Sequence, residues 1–557
     1  MNKFYYLLLI FLVVPIISHA QTLQVTGKVT QMDSGEQLAG VSIKVKGTDV
    51  SVFANQNGQY SLSTTRGSTL VFSYIGMLSK EILVTNTVLN VELASSENTL
   101  EEVVAIGYGT MKKSDVSGSS VTLNEEKLKG SVITNLDQAL QGRAAGVATV
   151  STSGAPGASV SVRVRGQATI NSKAEPLYVI DGVIIQGGGS SGHDFGLGDA
   201  LGNGNVSTVS PLSTINPSDI LSMEILKDAS ATAIYGAQGA NGVVLITTKR
   251  GRAGQAKFSY EGMSALQNQI GRLNMMNLRE FAQFSNDIAG EVNSRDNRPE
   301  FLDPSLLGEG TNWQEAIFQK GLMQQHQLSG QGGTESVKYY VSGSFMDQEG
   351  TVIGTKFNRY AFRSNLDAQL KSWFKLGTNV MYSSTDERLN LVDSDEGIVK
   401  FSLLTPPDIP IYDIDGNYAS VVREGYTTLN PIAKALSDDI LLARTKLNGS
   451  IFADLNILKD LVLHTELGFD IGGSRAELFE PTLQLGNWKR TINSSAWQRN
   501  NNKFWQLKNY LTYTKTFGKA HNLNAMIGQE AWESTYEHMR ISATNLPSND
   551  IKNPRLG

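Results

Sequence analysis

Residues Arg359–Leu370, with the sequence RYAFRSNLDAQL, decide the fold of most of this chain, because apolar and polar side chains alternate along them. A β-strand places successive side chains on opposite faces of its sheet. One face here carries Tyr360, Phe362, Leu366, Ala368 and Leu370, and the other carries Arg359, Arg363, Asn365, Asp367 and Gln369. A strand of about ten residues with one apolar face is typical of transmembrane β-barrels.

The same alternation recurs in Lys446–Leu455, Leu461–Phe469 and Trp505–Tyr513. Between residues 257 and 529 we count about nine or ten candidate strands of this kind. A single segment of this type is weak evidence, but the evidence accumulates over the series. The sequence therefore predicts an antiparallel transmembrane β-barrel over residues 251–557.

The connections between these strands differ in length at the two ends. Tight turns are predicted at Lys371-Ser372, at Leu458–Asp460 and at Gly518-Lys519, whereas the connections 386–442 and 472–502 are long. Short turns at one end and long loops at the other are typical of the periplasmic and extracellular ends of an outer-membrane barrel. This asymmetry favours a barrel over an array of soluble β-sandwiches.

Residues 115–250 mix helical and strand patterns, which predicts a compact α/β domain. Asn135–Gln141 is helical in pattern and is followed by Gly142, whereas Val160–Arg165 alternates as a strand. Pro176–Ile180 is a further predicted strand, and it leads into a turn at Asp181-Gly182.

Residues 22–97 contain about seven short strand patterns separated by turn signals such as Asn57-Gly58. This pattern predicts a small antiparallel β-sandwich.

The N-terminus of the chain has the order of a signal peptide. Lys3 precedes an apolar run from Phe4 to Ile17, and Ser18-His19-Ala20 follows. This order is typical of a secretory signal peptide over residues 1–20, cleaved between Ala20 and Gln21. The run is too short to be a stop-transfer helix.

The composition excludes several classes of protein. The chain of 557 residues has 48 Lys+Arg against 53 Asp+Glu, a formal net charge of −5, and no cysteine. A mildly acidic chain offers no basic surface for nucleic acid, and without cysteine neither disulfides nor thiolate metal sites can form. The six histidines never lie at the close spacing of a helical metal site, so the sequence predicts no metal site. No nucleophile or phosphate loop stands near Asp181, Lys227 or Asp228, and we therefore predict no cofactor and no catalytic residue.

Several motifs in the mixed domain resemble the plug of TonB-dependent outer-membrane receptors: Ser153–Gly157, Val162–Gly166 and Glu175–Val183. The stretch 215–244 and the segment 101–109 are more specific and resemble the SusC/RagA subgroup. This resemblance implies a carboxypeptidase-regulatory-like β-sandwich at 22–97, a TonB-box linker at 98–114, a plug at 115–250 and the first part of the barrel at 251–557.

The resemblance also implies residue roles. The TonB-binding residues would be Glu101, Glu102, Val103, Val104, Ala105 and Ile106. In related plugs a pair of arginines, here Arg163 and Arg165, faces carboxylates on the barrel wall. Structural turns of the plug would lie at Gly166, Asp181, Gly182, Tyr235, Gly236 and Gly242.

The function implied is active import of a large nutrient through the cell outer membrane, without enzymatic activity. The partners would be TonB, a SusD-like surface lipoprotein, outer-membrane lipid, and a glycan or, as the alternative, a peptide as cargo. Two other classes stay open on the residues alone: a secreted β-rich adhesin and a secreted carbohydrate-active enzyme. Because the sequence ends at Gly557 within a polar stretch, we expect it to be the N-terminal portion of a longer protein.

Overall fold

The computed structural model describes residues 22–32, 35–48, 50–74, 77–94, 103–106, 109–112, 120–129, 134–151, 153–158, 160–166, 174–185, 211–292, 298–390, 397–423, 426–486, 488–518 and 521–556. They divide into an N-terminal unit, which holds the strands up to Leu93, and a second unit, which holds the fold from residue 116 onward. The predicted signal peptide and its cleavage site at Ala20 and Gln21 lie outside the described residues.

The N-terminal unit is a small sandwich of two sheets. Its strands are β1 (Thr22–Gln31), β2 (Ser42–Val45), β3 (Ser51–Phe53), β4 (Gln59–Thr65), β5 (Thr69–Ser73), β6 (Lys80–Leu83) and β7 (Val91–Leu93). One sheet has the order β4-β1-β7 and the other the order β3-β2-β5-β6. The pairing of β1 with β7 is parallel, so the expectation of a purely antiparallel sandwich is wrong at this edge.

The alternating residues of these strands supply the sandwich core. Tyr60 packs edge-on against Phe72, with 5.4 Å between ring centroids, and its hydroxyl donates to the carbonyl of Leu89 at 2.8 Å. The tyrosine thus fills the core while its polar end is paired, as a buried hydroxyl requires. Two further strands, β8 (Val103–Ile106) and β9 (Gly109–Lys112), form a separate two-stranded sheet.

The plug is built around a five-stranded sheet of order β10-β15-β16-β13-β14, beside a two-stranded sheet of β11 and β12. Its strands are β10 (Ser120–Asn124), β11 (Val147–Ser151), β12 (Val160–Val164), β13 (Leu177–Ile180), β14 (Val183–Ile184), β15 (Ile220–Leu226) and β16 (Val243–Thr248). Its α-helices are α1 (Glu125–Lys129) and α2 (Ala229–Thr232). Short 3-10 turns lie at Leu136–Leu140, Pro211–Thr214, Pro217–Asp219 and Ala233–Gly239.

Nine long strands form one antiparallel sheet, which we call the wall. They are β17 (Gly254–Gln267), β18 (Gly321–Gly333), β19 (Val337–Glu349), β20 (Lys356–Lys371), β21 (Phe374–Leu389), β24 (Asp439–Leu458), β25 (Leu461–Glu480), β28 (Ser494–Phe517) and β29 (His521–Thr544). Each strand pairs with the next in this order. Two small hairpins, β22 (Val421–Arg423) with β23 (Tyr426–Thr428) and β26 (Leu483–Leu485) with β27 (Trp488–Arg490), lie in the connections.

Burial in the wall is the reverse of that in a water-soluble protein. On β20 the apolar Tyr360, Phe362 and Leu366 are exposed, while Arg359 and Arg363 on the other face are almost completely buried. Charged side chains are seldom buried in this way unless they are paired. The predicted alternation is therefore present in the structure, with the polar face turned toward the plug.

The connections are shorter than predicted on one side. Turns 334–336, 372–373 and 459–460 join strands at one end, and connections 268–320, 350–355, 390–438 and 481–493 join them at the other. The predicted loop 472–502 is therefore mostly strand, because β25 and β28 continue in the polar sequence beyond the apolar band. Polar residues on both faces removed the alternation on which the prediction relied.

The two longest connections contain helices, which the strand patterns did not predict. These helices are α3 (Leu278–Val292), α4 (Trp313–Ile317), α5 (Ile398–Leu404) and α6 (Pro431–Ser437). Short 3-10 turns lie at Pro299–Phe301 and Pro304–Leu306, and a further one, Pro554–Leu556, follows β29. Among the described residues, no helix has the length and hydropathy needed to cross a bilayer.

We expect lipid to cover the outward face of the wall, because an apolar band of this extent is unfavourable in water. The change Leu366→Arg, in the middle of the exposed face of β20, should lower the free energy of unfolding in phospholipid vesicles by about 2–4 kcal/mol. Leu370→Arg is the matched control. It lies beside the turn to β21, where a charge reaches the interface and should cost about 0–1 kcal/mol. Urea titration in vesicles measures both; equal costs would contradict the depth dependence.

Candidate functional site

The most elaborate polar site in the described residues lies where the plug meets the wall. On the plug side it begins at Asp181 and Gly182, which connect β13 to β14 with φ angles of 46° and 91°. A two-residue hairpin with both φ angles positive is a type I′ turn, and Asp-Gly is one of the sequences it favours. The turn places the Asp181 carboxylate at the tip of the hairpin.

Asp181 contacts the wall through Arg363 of β20. Arg363 Nη2 lies 2.9 Å from Asp181 Oδ2, and both side chains are at most 3% exposed. Within the plug, Thr248 donates its backbone N–H to Asp181 Oδ1 at 3.1 Å and its hydroxyl to Oδ2. Arg363 also donates to the hydroxyl oxygen of Thr248. Arg363 of the wall therefore contacts both the Asp181 turn and the end of strand β16.

The electrostatics favour the charged form of this carboxyl. Burial raises the pKa of Asp181, but the charges of Arg363 and Arg250 and the hydrogen bonds from Thr248 outweigh it and hold the pKa below its usual value. A carboxyl with a lowered folded pKa stabilises the fold above the pKa of the unfolded chain. That contribution is lost as the pH falls through the folded pKa.

A second buried carboxylate, Asp219, lies at the end of the Pro217–Asp219 turn. Its Oδ1 accepts hydrogen bonds from Gln327 Nε2 at 2.8 Å, Tyr340 OH at 2.9 Å and Ser342 Oγ at 2.7 Å. These three donors come from β18 and β19 of the wall. Nearby, Asn216 Nδ2 donates to Gln327 Oε1 at 2.8 Å, so plug and wall share one hydrogen-bond network.

Other wall side chains bind the plug backbone. Arg359 Nη1 donates to the carbonyls of Ser213 and Ile215 at 2.9 and 3.0 Å, and Arg444 Nη2 donates to Ser213 Oγ at 2.9 Å. On β28, Gln506 Nε2 donates to the carbonyl of Gly182 at 2.9 Å. Guanidinium and amide donors from the wall thus bind carbonyls and one hydroxyl at the turns of the plug.

Apolar contacts also join the plug and the wall, and Met381 of β21 belongs to the main core cluster of the plug. Phe504 of β28 is buried in a cluster with Leu177 and Leu245 of the plug, and Tyr235 packs against that cluster. Gly236 follows Tyr235 with a φ of 57° and kinks the 3-10 turn there. Gly242 has a φ of 92° and lies against Val164, where a Cβ would come within 3.0 Å of the Val164 Cβ.

Of the two arginines predicted to contact the wall, Arg165 has its described partner inside the plug. Arg165, with a φ of 58°, pairs with Asp228, and Gly166 follows it with a φ of 89°. Asp228 belongs to the plug, so the partner of Arg165 among the described residues is not a wall carboxylate, and the predicted wall contact of Arg165 stays a prediction. The interface carries charges of both signs on both sides: Arg363 of the wall pairs with Asp181 of the plug, whereas Arg250 of the plug lies 3.9 Å from Asp367 of the wall. The wall contact of Arg163 stays a prediction.

The predicted TonB-binding segment is only partly described. Val103–Ile106 form strand β8, which pairs with Gly109–Lys112. Glu101 and Glu102 lie outside the described residues. The role of the whole segment stays a prediction.

The sequence interpretation missed the wall and plug residues that meet at this site. These are Ser213, Asn216, Asp219, Gln327, Tyr340, Arg359, Arg363 and Arg444. A signal was present for two of them, because Arg359 and Arg363 occupy the polar face of an alternating strand. An ionised side chain on the inner face of a barrel needs a partner, and a domain inside the barrel can provide one.

Two family profiles match the chain. The TonB-dependent Receptor Plug Domain matches residues 112–243, and the CarboxypepD_reg-like domain matches residues 25–105. The first range covers the plug described above up to the start of β16, and the second covers the N-terminal sandwich from within β1 onward.

Several known proteins are similar over most of the chain. TonB-dependent receptor P3 of Formosa agariphila is 32% identical over 546 residues, covering 96% of this chain and 50% of that protein. TonB-dependent receptor SusC of Bacteroides thetaiotaomicron is 30% identical over 537 residues, covering 92% and 50%. The chain thus spans about half the length of the curated relatives it matches. The open-open state of the RagAB peptide importer superimposes with a TM-score of 0.67 at 25% identity, covering 82% of this chain and 52% of that one.

The Asp181–Arg363 pair should dominate the retention of the plug. In Asp181→Asn the Arg363 guanidinium stays buried without its counter-charge, which should cost about 3–5 kcal/mol. Amide hydrogen exchange of β13 and β16, read by mass spectrometry, measures this loss as easier opening.

The matched control is Asp228→Asn, which removes the partner of the half-exposed Arg165 and should cost about 0–1 kcal/mol. Unchanged exchange in Asp181→Asn, or an equal effect of the two substitutions, would show that the buried pair does not hold the plug.

Proposed function

Because the chain belongs to the SusC/RagA type of TonB-dependent receptors, we propose that it serves the active import of a large nutrient. Receptors of this family are outer-membrane β-barrel proteins and are not enzymes. The proposal therefore replaces the two alternatives of a secreted β-rich adhesin and a secreted carbohydrate-active enzyme. We place the domain boundaries at 22–97, 98–114, 115–250 and 251–557.

The observation that carries the proposal is the polar nature of the contact between plug and wall. Asp181, Asp219 and the plug carbonyls are bound by wall side chains through hydrogen bonds and ion pairs. Exchanging a hydrogen bond for one to water changes the free energy by only about 0.5–1.5 kcal/mol. Such an interface holds a plug in place and still lets it be displaced when external work is done, with water taking over its partners.

TonB would do that work by binding the segment 101–106. An extended segment can add to the edge of another protein's sheet, where backbone hydrogen bonds supply the affinity. In this proposal strand β8 leaves its pairing with β9 and pairs with TonB. The force then reaches the plug through the linker that follows. Arg163 would add to plug retention.

For the cargo we favour an oligosaccharide, delivered by a SusD-like surface lipoprotein. This cargo class is the one that the resemblance to the SusC/RagA subgroup implies first. The alternative is an oligopeptide, supported by the similarity to a structure described as a peptide importer. Both cargoes are compatible with a wall whose inner face is polar.

The substitution Val104→Pro tests the coupling to TonB. Proline removes the backbone N–H that an added strand must donate, so uptake of the nutrient by cells carrying the full gene should fall to background. Uptake of labelled oligosaccharides and growth on them measure the effect.

Met111→Pro is the matched control, because it disrupts the pairing of β8 with β9 from the other strand and leaves residues 101–106 intact. It should retain uptake. Normal uptake in Val104→Pro, with normal amounts of protein in the outer membrane, would overturn the assignment of the TonB-binding segment.

A further inference from the structure

The N-terminal sandwich has one sheet edge that lacks the usual protection. Four strands end its two sheets: β4 and β7 in one sheet, and β3 and β6 in the other. Strands β3 and β7 have three residues each, and β6 carries the charged Lys80 and Glu81. Short strands and charged side chains protect a sheet edge against pairing with another strand.

Strand β4 has neither kind of protection. It runs over the seven residues Gln59–Thr65, with the sequence QYSLSTT, and contains no charged residue and no proline. Its register with β1 is continuous, from Thr22 opposite Thr65 to Lys28 opposite Gln59, so no bulge bends it. Among the described residues, β1 is the only strand that pairs with β4. The other edge of β4 is therefore open to a further strand.

The ladder between β1 and β4 shows which backbone groups point to the open edge. Val29 donates its N–H to the carbonyl of Gly58 at 2.8 Å, so this carbonyl points toward β1. Residues of an antiparallel strand alternate between those that bond to the neighbouring strand and those that do not. The even-numbered residues of β4 therefore point toward β1, and the odd-numbered residues point to the open edge.

Both ends of the open edge are already bonded. The carbonyl of Gln59 accepts the N–H of Asn55 at 2.9 Å, and its own N–H donates to Asn55 Oδ1 at 2.9 Å. The carbonyl of Thr65 accepts the N–H of Ser68 at 3.1 Å. Within the described part of the chain, both backbone groups are left for a partner only at the two odd-numbered residues in between.

These two residues, Ser61 and Ser63, lie symmetrically about Leu62, which makes the edge complementary to itself. In an antiparallel pair of two β4 strands centred on Leu62, Ser61 of one copy lies opposite Ser63 of the other. Each opposite pair exchanges two N–H···O bonds, so the two pairs form four. Every donor faces an acceptor, and no like charges meet, because β4 carries no charge. Both serine side chains are exposed and small.

We infer that the N-terminal sandwich binds a second copy of this chain through β4, in an antiparallel pair about a two-fold axis at Leu62. The sheet of order β4-β1-β7 then continues into the same sheet of the other copy, with three strands from each. Because the contact is small, it acts between chains that one membrane already holds near each other. The pairing requires neither cargo nor TonB, so its failure would leave the proposed import intact.

The chain contains no cysteine, so introduced cysteines allow a direct test by disulfide cross-linking. Two differently tagged copies of the full gene, one with Ser61→Cys and one with Ser63→Cys, are expressed together, and the outer membranes are oxidised with copper phenanthroline. Opposite residues in the proposed pair have Cα atoms about 5.5 Å apart, a distance that a disulfide spans. Product that carries both tags should exceed, at least fivefold, the product from two copies with the same substitution, because identical positions are offset by two residues.

A cysteine on the other sheet is the matched control. Ser42 lies on β2, an inner strand of that sheet, so Ser42→Cys with Ser63→Cys should give at least fivefold less product than Ser61→Cys with Ser63→Cys. Equal product from these two combinations would overturn the inference. So would the absence of cross-linking between the copies, or cross-linking of Ser61→Cys to a different protein in place of a second copy.

A proline distinguishes strand pairing from mere proximity. Gln59 and Thr65 also lie opposite each other in the proposed register, so Gln59→Cys and Thr65→Cys should cross-link. Adding Ser63→Pro to both copies removes an N–H that points away from β1, which an edge strand tolerates, and should lower this product at least fivefold. Ser63→Ala keeps the N–H and should leave the product unchanged.

Equal product from Ser63→Pro and Ser63→Ala, at equal amounts of protein in the outer membrane, would show that the two β4 strands do not pair. If Ser63→Pro does not accumulate in the membrane, the comparison of Ser61→Cys, Ser63→Cys and Ser42→Cys decides alone, since none of these substitutions removes a backbone hydrogen bond.

Discussion

A charged side chain on the inner face of a membrane wall must be paired, and this constraint shapes the contact between wall and plug. Side chains alternate between the two faces of β20. Its outward positions are exposed apolar residues, and its inward positions include Arg359 and Arg363. Both guanidinium groups are buried against the plug, where Asp181 and the carbonyls of Ser213 and Ile215 receive them. The wall and the plug therefore complete each other's polar groups, and neither surface would be stable in a dry interior alone.

The polar contact between plug and wall can be separated more readily than an apolar domain core. An apolar core resists separation because water cannot replace its contacts, whereas hydrogen bonds can be exchanged for bonds to water. Several buried atoms, among them Arg363 Nε and Gln506 Oε1, have no hydrogen-bond partner among the described residues. An interface with such unused polar atoms has alternative pairings available, which suits a plug that must be displaced and return.

Burial of apolar side chains organises the loop end of the wall. Trp313, Ile317, Ile398 and Ile432 from connections distant in sequence pack into one apolar cluster. The Trp313 indole donates to the carbonyl of Pro406 at 3.1 Å, and Arg298 pairs with Asp408 at 2.8 Å. The long connections are thus folded on one another.

The sequence by itself determined the β-strand wall, the α/β plug and the N-terminal sandwich, because each depends on local alternation and turn residues that neighbouring positions supply. It indicated the Asp181-Gly182 turn for the same reason. It did not determine which plug groups meet the wall: Arg165 pairs with Asp228 inside the plug, while Asp219 binds Tyr340 and Ser342. Tyr340 and Ser342 lie 121 and 123 residues from Asp219 in the chain, and Asp228 is also distant from Arg165, so only the tertiary structure brings these partners together. The short helices α4 and α6 were missed although Asn312 and Asn430 cap them, because their stability comes from packing between connections rather than from local periodicity.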